Sequence, residues 1–467
     1  AEIELTKARN INNEIKKTFT NYNHPNYLNS QTIIAEKTSF NEIPSFYLIQ
    51  SDGSEKRITS PGFYSESNAN LSLNKDYLVW TEKAYDSRWG NVEYSNVIKF
   101  DYTRRLKKQL TFKARYFAPE INKNGDKIVT VHAPASQDYE LHILNAQSGN
   151  LDKKIANEEQ YQYAFPTWVD EKNVATVVRK SGKNAIQIIH LGTGKSRLIT
   201  PWWNEKIANL RSQQNYIFFD GIFNGIDNIY AISIENQRVY QVTSTLFGAV
   251  EPDISHDGKM LVYSAYSNMG YDIQTTPLIK ENWKPLESIE NSIIDFFEPM
   301  SNGNILENIP KQSYEIKSYP TTDRFQLHSR LLTYVPPNLM FNLYADNKMS
   351  NISGLGSYQF NLNEKSSSWS SELIWAKYYP ILTLKMNRKN RTSYVPVYFE
   401  TEENDEITPN LETRNQTWTE NNLGLSLKLP LNLTVGNFYN FVELNQGILQ
   451  NWINYNTIET GKSGSFT

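Results

Sequence analysis

The stretch PDISHDGKMLVY, residues 252–263, joins a turn to the start of a strand. Asp257–Gly258 is a dipeptide that favours a tight turn, and the apolar residues after it favour a β-strand. A second copy, PEINKNGDKIV at residues 119–129, keeps the proline, the isoleucine two residues later and a turn glycine. The same residue types at the same spacing indicate that the chain repeats one small β unit.

Weaker copies of this unit cover the rest of residues 27–280. Four copies end on an apolar residue followed by threonine, roughly 43–52 residues apart if one unit between 111 and 200 lacks the ending. These endings are Ile58–Thr59, Leu110–Thr111, Ile199–Thr200 and Val242–Thr243. A period of about 40–50 residues with several short strands is typical of a β-propeller. We count six copies and predict a six-bladed propeller.

The run from Pro252 to Tyr263, seen again from Pro119 to Val129, resembles the WD40-like repeat of TolB-like propellers. The resemblance covers about residues 27–280. The first and fifth copies differ from the family's repeat, because their Asp–Gly turn is displaced or missing. TolB-like propellers generally serve as protein-binding modules. The resemblance therefore implies a propeller that docks protein partners.

A different pattern appears in NLGLSLKLPLNLT, residues 422–434, which has a leucine at every second position. A strand places such residues on one face, and eleven tilted residues approach the apolar thickness of an outer membrane. A half-buried strand of a soluble sheet is the alternative, but such strands usually have only five or six residues. We therefore predict a lipid-facing set of Leu423, Leu425, Leu427, Leu429, Leu431 and Leu433.

Aromatic residues flank these leucines and are predicted to form a girdle at the membrane interfaces. They are Trp418, Phe438, Tyr439 and Phe441. Pro430 argues against a lipid-facing strand, because proline cannot donate a ladder hydrogen bond and a closed barrel has no free edge. A bulge at Pro430 would reconcile the two.

The sequence therefore predicts an all-β protein in four parts. Residues 1–26 form a short helical or irregular segment, with a helix over 1–20, and residues 27–280 form the propeller. Residues 281–312 are a linker, and residues 313–467 provide antiparallel strands of an outer-membrane β-barrel. Only six or seven strands are found there, fewer than a barrel needs, so we expect a partial barrel and a longer native chain.

This second half resembles the outer-membrane barrels attached to TolB-like propellers in Bacteroidetes-type envelope proteins, some of which carry a zinc-peptidase-like domain before the propeller. The chain starts AEIELTKARN, which is no signal peptide, so we expect a removed signal or a fragment. The sequence contains no run of 18 apolar residues, so no transmembrane helix is predicted.

Several functional classes lack support in the composition and motifs. The net charge is −3 without blocks of like charge, so no nucleic-acid partner is expected. The chain has no cysteine, which excludes disulfides and thiolate metal sites. Phosphate-binding glycine motifs are missing from the sequence, so no nucleotide is expected. Neither a Gly-x-Ser-x-Gly elbow nor an HExxH motif occurs, and we predict no enzyme, catalytic residue or cofactor.

Two polar groupings contain residue types that bind metal ions. His132 and His142 fall in one repeat, but the turn-like APASQD between them predicts that they do not share a face, so structural roles are favoured and no metal site is predicted. The acidic run ETEENDEIT, residues 400–408, offers oxygen ligands but lacks calcium-loop spacing, so a solvated loop is favoured.

The expected function is that of a non-enzymatic protein anchored in the bacterial outer membrane. Its periplasmic propeller would dock other envelope proteins, and its strands would contact outer-membrane lipid. An accessory subunit of an envelope assembly or transport complex fits this description. Two alternatives stay open: an outer-membrane channel or transporter gated by the propeller, and a fragment of a glycan or peptide hydrolase.

Overall fold

The computed structural model describes residues 5–12, 16–62, 71–289, 312, 315, 325–403 and 406–456, without the side chains of 399 and 401–410. The chain divides into two compact units, which are Ala1–Gly303 with Thr434–Asn440, and Asn304–Leu433 with Phe441–Thr467. The only helical turns in the described part are the 3-10 turns Lys280–Asn282 and Leu286–Ser288. No helix among the described residues is long and apolar enough to cross a membrane.

The first unit contains six antiparallel blades, so the prediction of a six-bladed propeller is confirmed. The N-terminal strand β1 (Arg9–Asn10) belongs to blade 6. Blade 1 contains β2 (Thr20–Asn29), β3 (Thr32–Ser39), β4 (Glu42–Gln50) and β5 (Glu55–Thr59). Blade 2 contains β6 (Ser72–Leu73), β7 (Tyr77–Tyr85), β8 (Glu93–Asp101) and β9 (Leu106–Gln109). Blade 3 contains β10 (Tyr116–Ile121), β11 (Lys127–His132), β12 (Glu140–Asn145) and β13 (Leu151–Ile155).

Blade 4 contains β14 (Gln162–Trp168), β15 (Asn173–Lys180), β16 (Lys183–His190) and β17 (Ser196–Leu198). Blade 5 contains β18 (Ile207–Gln213), β19 (Tyr216–Gly221), β20 (Asn228–Ser233) and β21 (Val239–Gln241). Blade 6 is completed by β22 (Ala249–Ile254), β23 (Met260–Ser267) and β24 (Gly270–Pro277). A short strand β25 (Lys284–Pro285) returns to pair with β21 of blade 5.

The ring closes by a pairing between the two ends of the propeller. Arg9 and Asn10 of β1 pair antiparallel with Thr275 and Gln274 of β24, which gives blade 6 its fourth strand. The prediction of a helix over residues 1–20 is therefore wrong in the described part of that stretch. Arg9 and Asn10 form a strand instead, and Ile11, which follows it, is buried against blades 1 and 6.

Three of the four threonines that end the repeat have a common structural role. The Oγ1 atoms of Thr111, Thr200 and Thr243 each accept a backbone N–H at 2.9 Å from the third strand of their own blade. Each donor lies 14 residues earlier in the chain. The hydroxyl thus replaces a ladder bond where the fourth strand leaves the blade, which explains why threonine recurs there.

Turn chemistry also repeats between the first two strands of a blade. The Asn122 side chain accepts the backbone N–H groups of Gly125, Asp126 and Lys127. Ser255 holds the equivalent turn of blade 6 by accepting from Met260. Gly125 and Gly258 occupy the left-handed region, at φ 77° and 74°, which glycine adopts without steric penalty.

Six buried hydrophobic clusters hold the blades together, one between each pair of neighbours. Alternating side chains on each strand supply both faces of a blade, so no blade can bury its apolar surface alone. In blade 3, for example, Val129 and Val131 pack toward blade 4, whereas Ile128 and Leu144 pack toward blade 2.

The second unit is one antiparallel sheet of seven strands in sequence order, so the predicted antiparallel strands are confirmed. They are β26 (Gln326–Val335), β27 (Asn338–Asp346), β28 (Ile352–Asn361), β29 (Ser366–Trp375), β30 (Ile381–Glu403), β31 (Glu406–Asn432) and β32 (Phe441–Tyr455). Among the described residues no ladder joins β26 to β32, so closure into a barrel stays a prediction.

Candidate functional site

The leucines of β31 lie on one exposed face of the seven-stranded sheet. Leu423, Leu425, Leu427 and Leu433 expose 38–48 % of their surface, and Leu429 and Leu431 are half-buried. The β31–β32 ladder runs without a register shift from Trp418 to Asn432, so the five leucines from Leu423 to Leu431 keep the same orientation. Leu433 follows directly after the end of β31. Whether this face contacts lipid stays a prediction.

The same face is apolar across most of the sheet. Leu425 pairs with Leu384 on β30 and with Ile448 on β32, and Leu384 pairs with Leu373 on β29. Gln446 and Gln450 interrupt the face on β32, and Arg330 of β26 and Arg388 of β30 also lie on it. Its exposed apolar members outside β31 include Leu332, Tyr334, Leu339, Phe341, Tyr358, Trp369, Leu373, Met386, Val442, Leu444, Ile448 and Trp452.

The opposite face is largely polar and is joined by hydrogen bonds and ion pairs between strands. Ser357 donates to Asn342 at 2.6 Å, Lys385 pairs with Glu372 at 3.2 Å, and Lys428 pairs with Glu443 at 2.6 Å. This face also carries apolar side chains, Leu449 and Ile453 among them. One sheet therefore presents an exposed apolar surface and a cross-linked polar surface.

The predicted girdle residues occupy different places. Trp418 lies on β31 in the even-numbered set, hence on the polar face, and its Nε1 donates to Glu420 at 2.9 Å. Phe438 and Tyr439 lie in the connection between β31 and β32, and Phe441 begins β32; all three are exposed. The acidic run at 400–408 lies at the β30–β31 hairpin end, where most side chains are outside the described part.

Pro430 fits the sheet without the expected bulge. The β30 ladder ends at Lys428, so at Pro430 only β32 pairs with β31, and the β31–β32 ladder has no register shift there. A proline is tolerated where one side of a strand has no neighbour. The bulge proposed from the sequence is therefore not found.

Five of the innermost propeller strands share a bulge. Each has a residue with positive φ at a register shift, and in four of the five the next residue is proline. The residues are His24, Ala118, Phe165, Asn209 and Glu251, with φ between 47° and 58°. In blade 5 the proline is missing, but asparagine tolerates the left-handed region. The shared geometry presents the second residue after the positive-φ residue toward the other blades.

That residue in blade 5 is Arg211, whose guanidinium reaches four other blades. It lies 3.5 Å from Glu120 Oε2 of blade 3 and 3.7 Å from Asp253 Oδ1 of blade 6. Its Nη2 donates to the carbonyl of Leu71 at 3.1 Å and to Asn26 Oδ1 at 3.4 Å. The Arg211 side chain is only 14 % exposed. We call Arg211, Glu120 and Asp253 the central ion group.

Its carboxylates also bridge to the next blade. Glu120 Oε1 accepts from Thr167 Oγ1 at 2.8 Å and from the Trp168 backbone N–H, and Asp253 Oδ2 accepts from the Tyr27 N–H. Burial raises the pKa of Glu120 to about 7 and also raises the pKa of Asp253, while Arg211 opposes both shifts. Sequence reasoning missed this group because its members are far apart in the chain.

A cavity of about 450 Å³ lies between blades 2, 3 and 4. Five aromatic side chains line it, namely Tyr94, Phe117, Tyr139, Tyr163 and Phe165. It also contains Lys83, paired with Glu93 at 3.0 Å, and two arginines, Arg115 and Arg179. Arg179 lies over the Phe165 ring. In the described part of the chain, neither arginine has a carboxylate within salt-bridge distance.

His132 and His142 lie together, contrary to the expectation from the intervening turn. The β11–β12 hairpin pairs His132 with Glu140 and Thr130 with His142, which places both histidines and the glutamate on one face. The two imidazoles stack at 4.5 Å, and His142 Nε2 lies 2.8 Å from Glu140 Oε2. Burial lowers the pKa of both histidines, which favours the neutral form.

Comparisons with known proteins give only remote structural similarity. No family model matches the sequence, and the search of curated proteins found no significant match. TolB from Acinetobacter baumannii is 11% identical over 70% of this chain and 76% of its own, with a TM-score of 0.39.

Two other solved chains are similar at the same level. One described as TolB from Agrobacterium tumefaciens is 12% identical over 50% of this chain and 84% of its own, with a TM-score of 0.40. An oligogalacturonate lyase from Vibrio parahaemolyticus is 12% identical over 59% and 94%, with a TM-score of 0.42. Similarity this low carries no argument about function, and the expectation that the chain is not an enzyme stays a prediction.

Proposed function

We propose that this protein is anchored in the bacterial outer membrane by its C-terminal sheet and uses its propeller to dock protein partners of the cell envelope. The observation that carries the anchor is the exposed apolar face that continues from Leu373 through Leu384 and Leu425 to Ile448. Soluble proteins rarely leave so large an apolar patch in water.

The polar face supports the same proposal. A membrane-spanning strand alternates between lipid-facing apolar residues and inward polar residues. Ion pairs such as Lys428–Glu443 and Lys385–Glu372 lie on the face opposite the leucines, where they would avoid hydrocarbon. The anchored protein would place the propeller in the periplasm.

Docking is assigned to the cavity between blades 2, 3 and 4. Two guanidiniums without carboxylate partners in the described part, set among aromatic rings, suit an acidic side chain or a chain-terminal carboxylate. Aromatic residues and arginine are also the residue types most enriched at binding hot spots. We infer that the docked partner presents an acidic segment to Arg115 and Arg179.

Fractionation of cells that naturally produce the protein tests the anchor. We expect the full chain to stay in the membrane pellet after an alkaline carbonate wash, because apolar strands in lipid are not released by pH or charge. A known peripheral envelope protein serves as the control and should be released. Recovery of the full chain in the supernatant would show that the sheet does not cross the membrane.

A charge-matched pair of variants tests docking. We expect Arg115→Gln with Arg179→Gln to reduce in-cell cross-linking to envelope partners at least about tenfold, since each buried charged contact is worth about 2–5 kcal/mol. The control, Arg104→Gln with Arg105→Gln, removes the same charge from exposed positions outside the cavity. Quantitative mass spectrometry of the cross-linked products gives the ratio. Equal cross-linking of the two double variants would contradict the assigned site.

A further inference from the structure

The hairpin of blade 3 brings three metal-binding side chains to one place. His132, Glu140 and His142 offer ligand atoms that all lie within 4.8 Å of one another. Their face of the hairpin is the one that packs toward blade 2, since Ile128 and Leu144 on the same face belong to the cluster shared with that blade. The group lies at the edge of this interface, with His142 buried and the other two partly exposed.

We propose that His132, Glu140 and His142 form a binding site for a transition-metal ion of the Zn²⁺ type. Two imidazoles and one carboxylate are ligands that zinc commonly accepts, and a set of three protein ligands leaves a further position for water or another group. Mg²⁺ and Ca²⁺ prefer oxygen ligands, so a site with two imidazole nitrogens should bind them weakly.

The distances are close to those that an ion requires. Tetrahedral bonds of about 2.0–2.1 Å separate neighbouring ligand atoms by about 3.3 Å. His142 Nε2 lies 2.8 Å from Glu140 Oε2, and His132 Nδ1 lies 3.7 Å from the same oxygen. Admitting the ion would change these two distances by about half an ångström. It would also turn the two imidazoles, which are now stacked at 4.5 Å and whose ligand atoms lie within 4.8 Å of each other, toward a common point.

Two features of the surroundings point to a ligand. The Nδ1 atom of His132 is buried and has no hydrogen-bond partner in the described part of the chain. The other ring nitrogen of His142, Nδ1, lies 3.1 Å from the hydroxyl of Tyr116. A second partner of this kind fixes the orientation and tautomer of a ligating histidine, leaving Nε2 free to bind the ion.

Lys154 is the group that the ion would displace. Its Nζ lies 3.4 Å from Glu140 Oε2, so it supplies positive charge to the same carboxylate. The Lys154 side chain is 57 % exposed, and a long flexible side chain can swing into water when the ion enters. The exposed side of Glu140 and His132 provides the entry path.

Titration of the chelator-treated, dialysed full chain with Zn²⁺ tests the site. We expect one Zn²⁺ per chain by calorimetry and a rise in Tm of roughly 4–5 °C at a Zn²⁺ concentration near one hundred times Kd. Mg²⁺ should give no rise. Tyr116→Phe, which removes the supporting hydroxyl, should weaken Zn²⁺ binding roughly 10–100-fold.

The ligand variants are His132→Gln and Glu140→Gln, chosen because both side chains are partly exposed, and circular dichroism without metal shows whether they fold. Each should weaken Zn²⁺ binding at least as much as Tyr116→Phe, whereas the matched control His256→Gln, at an exposed turn, should not. Co²⁺ gives a second readout, because its visible absorption in a tetrahedral site should be lost in both ligand variants. Equal Zn²⁺ affinity in His132→Gln and His256→Gln, or no saturable binding by the wild type, would overturn the proposal.

Discussion

Replacing Arg211 with methionine is expected to lower the free energy of unfolding of the propeller by about 3–5 kcal/mol. The substitution removes the cation that lies beside both Glu120 and Asp253, and their side chains are only 12 % and 18 % exposed. Breaking a buried ion group by removing one member leaves uncompensated charge, which costs more than the group itself contributed. Chemical denaturation of the full chain, followed by tryptophan fluorescence, measures the loss.

The loss should depend on pH, and the sign follows from Glu120. Its folded pKa, about 7, lies above the unfolded value of 4.5, so its favourable contribution is complete below about pH 4.5 and is lost as pH rises through 7. In the wild type this should cost about 3 kcal/mol across that window. Without Arg211 the Glu120 pKa rises further, so Arg211→Met should be most destabilising above pH 7.

Two comparisons make the result specific. Arg104→Met, at an exposed position of blade 2, should change the free energy of unfolding by less than about 0.5 kcal/mol. Adding Glu120→Gln and Asp253→Asn to Arg211→Met should restore part of the stability and remove the pH dependence. If Arg211→Met is no more destabilising than Arg104→Met at pH 8, the central ion group does not contribute as proposed.

An arginine at position 425 should destabilise the membrane-inserted sheet by about 2–4 kcal/mol, the cost of a charged side chain on a lipid-facing strand near the bilayer midplane. Its neighbour gives a matched control, because Ser426 lies on the polar face of the same strand. Ser426→Arg should cost less than about 1 kcal/mol. Urea unfolding of the full chain folded into phospholipid vesicles measures both.

The difference between the two variants is the decisive quantity. In a sheet that lies in water, Leu425→Arg replaces an exposed leucine by an exposed arginine, and changes of this kind usually stay within about 0.5 kcal/mol. Equal stability of Leu425→Arg and Ser426→Arg in vesicles would therefore contradict the lipid-facing assignment.

Local chemistry is what made the propeller predictable from the sequence. The turn glycines and the closing threonines act within their own blades, so the same residue recurs at the same position in several repeat units. Blade 3 lacks the closing threonine and ends at Ile155, and blade 5 lacks the proline after Asn209. Both blades still form, because the apolar faces that pack against neighbouring blades do not depend on that threonine or that proline.

Contacts between distant parts of the chain are what the sequence could not reveal. The apolar spacing of residues 1–20 is close to helical, and the partner that makes Arg9–Asn10 a strand lies beyond residue 270. Arg211 meets Glu120 across 91 positions, and no local pattern marks that pair. The prediction that His132 and His142 lie on different faces is wrong for another reason. The turn between them belongs to a hairpin, and a hairpin turn aligns its two strands.

The pairing of β1 with β24 also governs when the propeller can form. Residue 10 must wait until residue 274 has been made, which takes roughly 13–50 s at 5–20 residues per second. Until then β1 has no partner, and such long-range pairing slows folding. The same two-residue strand fits blade 6 of a second copy equally well, so crowded nascent chains can exchange it. The junction that completes the ring is thus also the place where two molecules can become entangled.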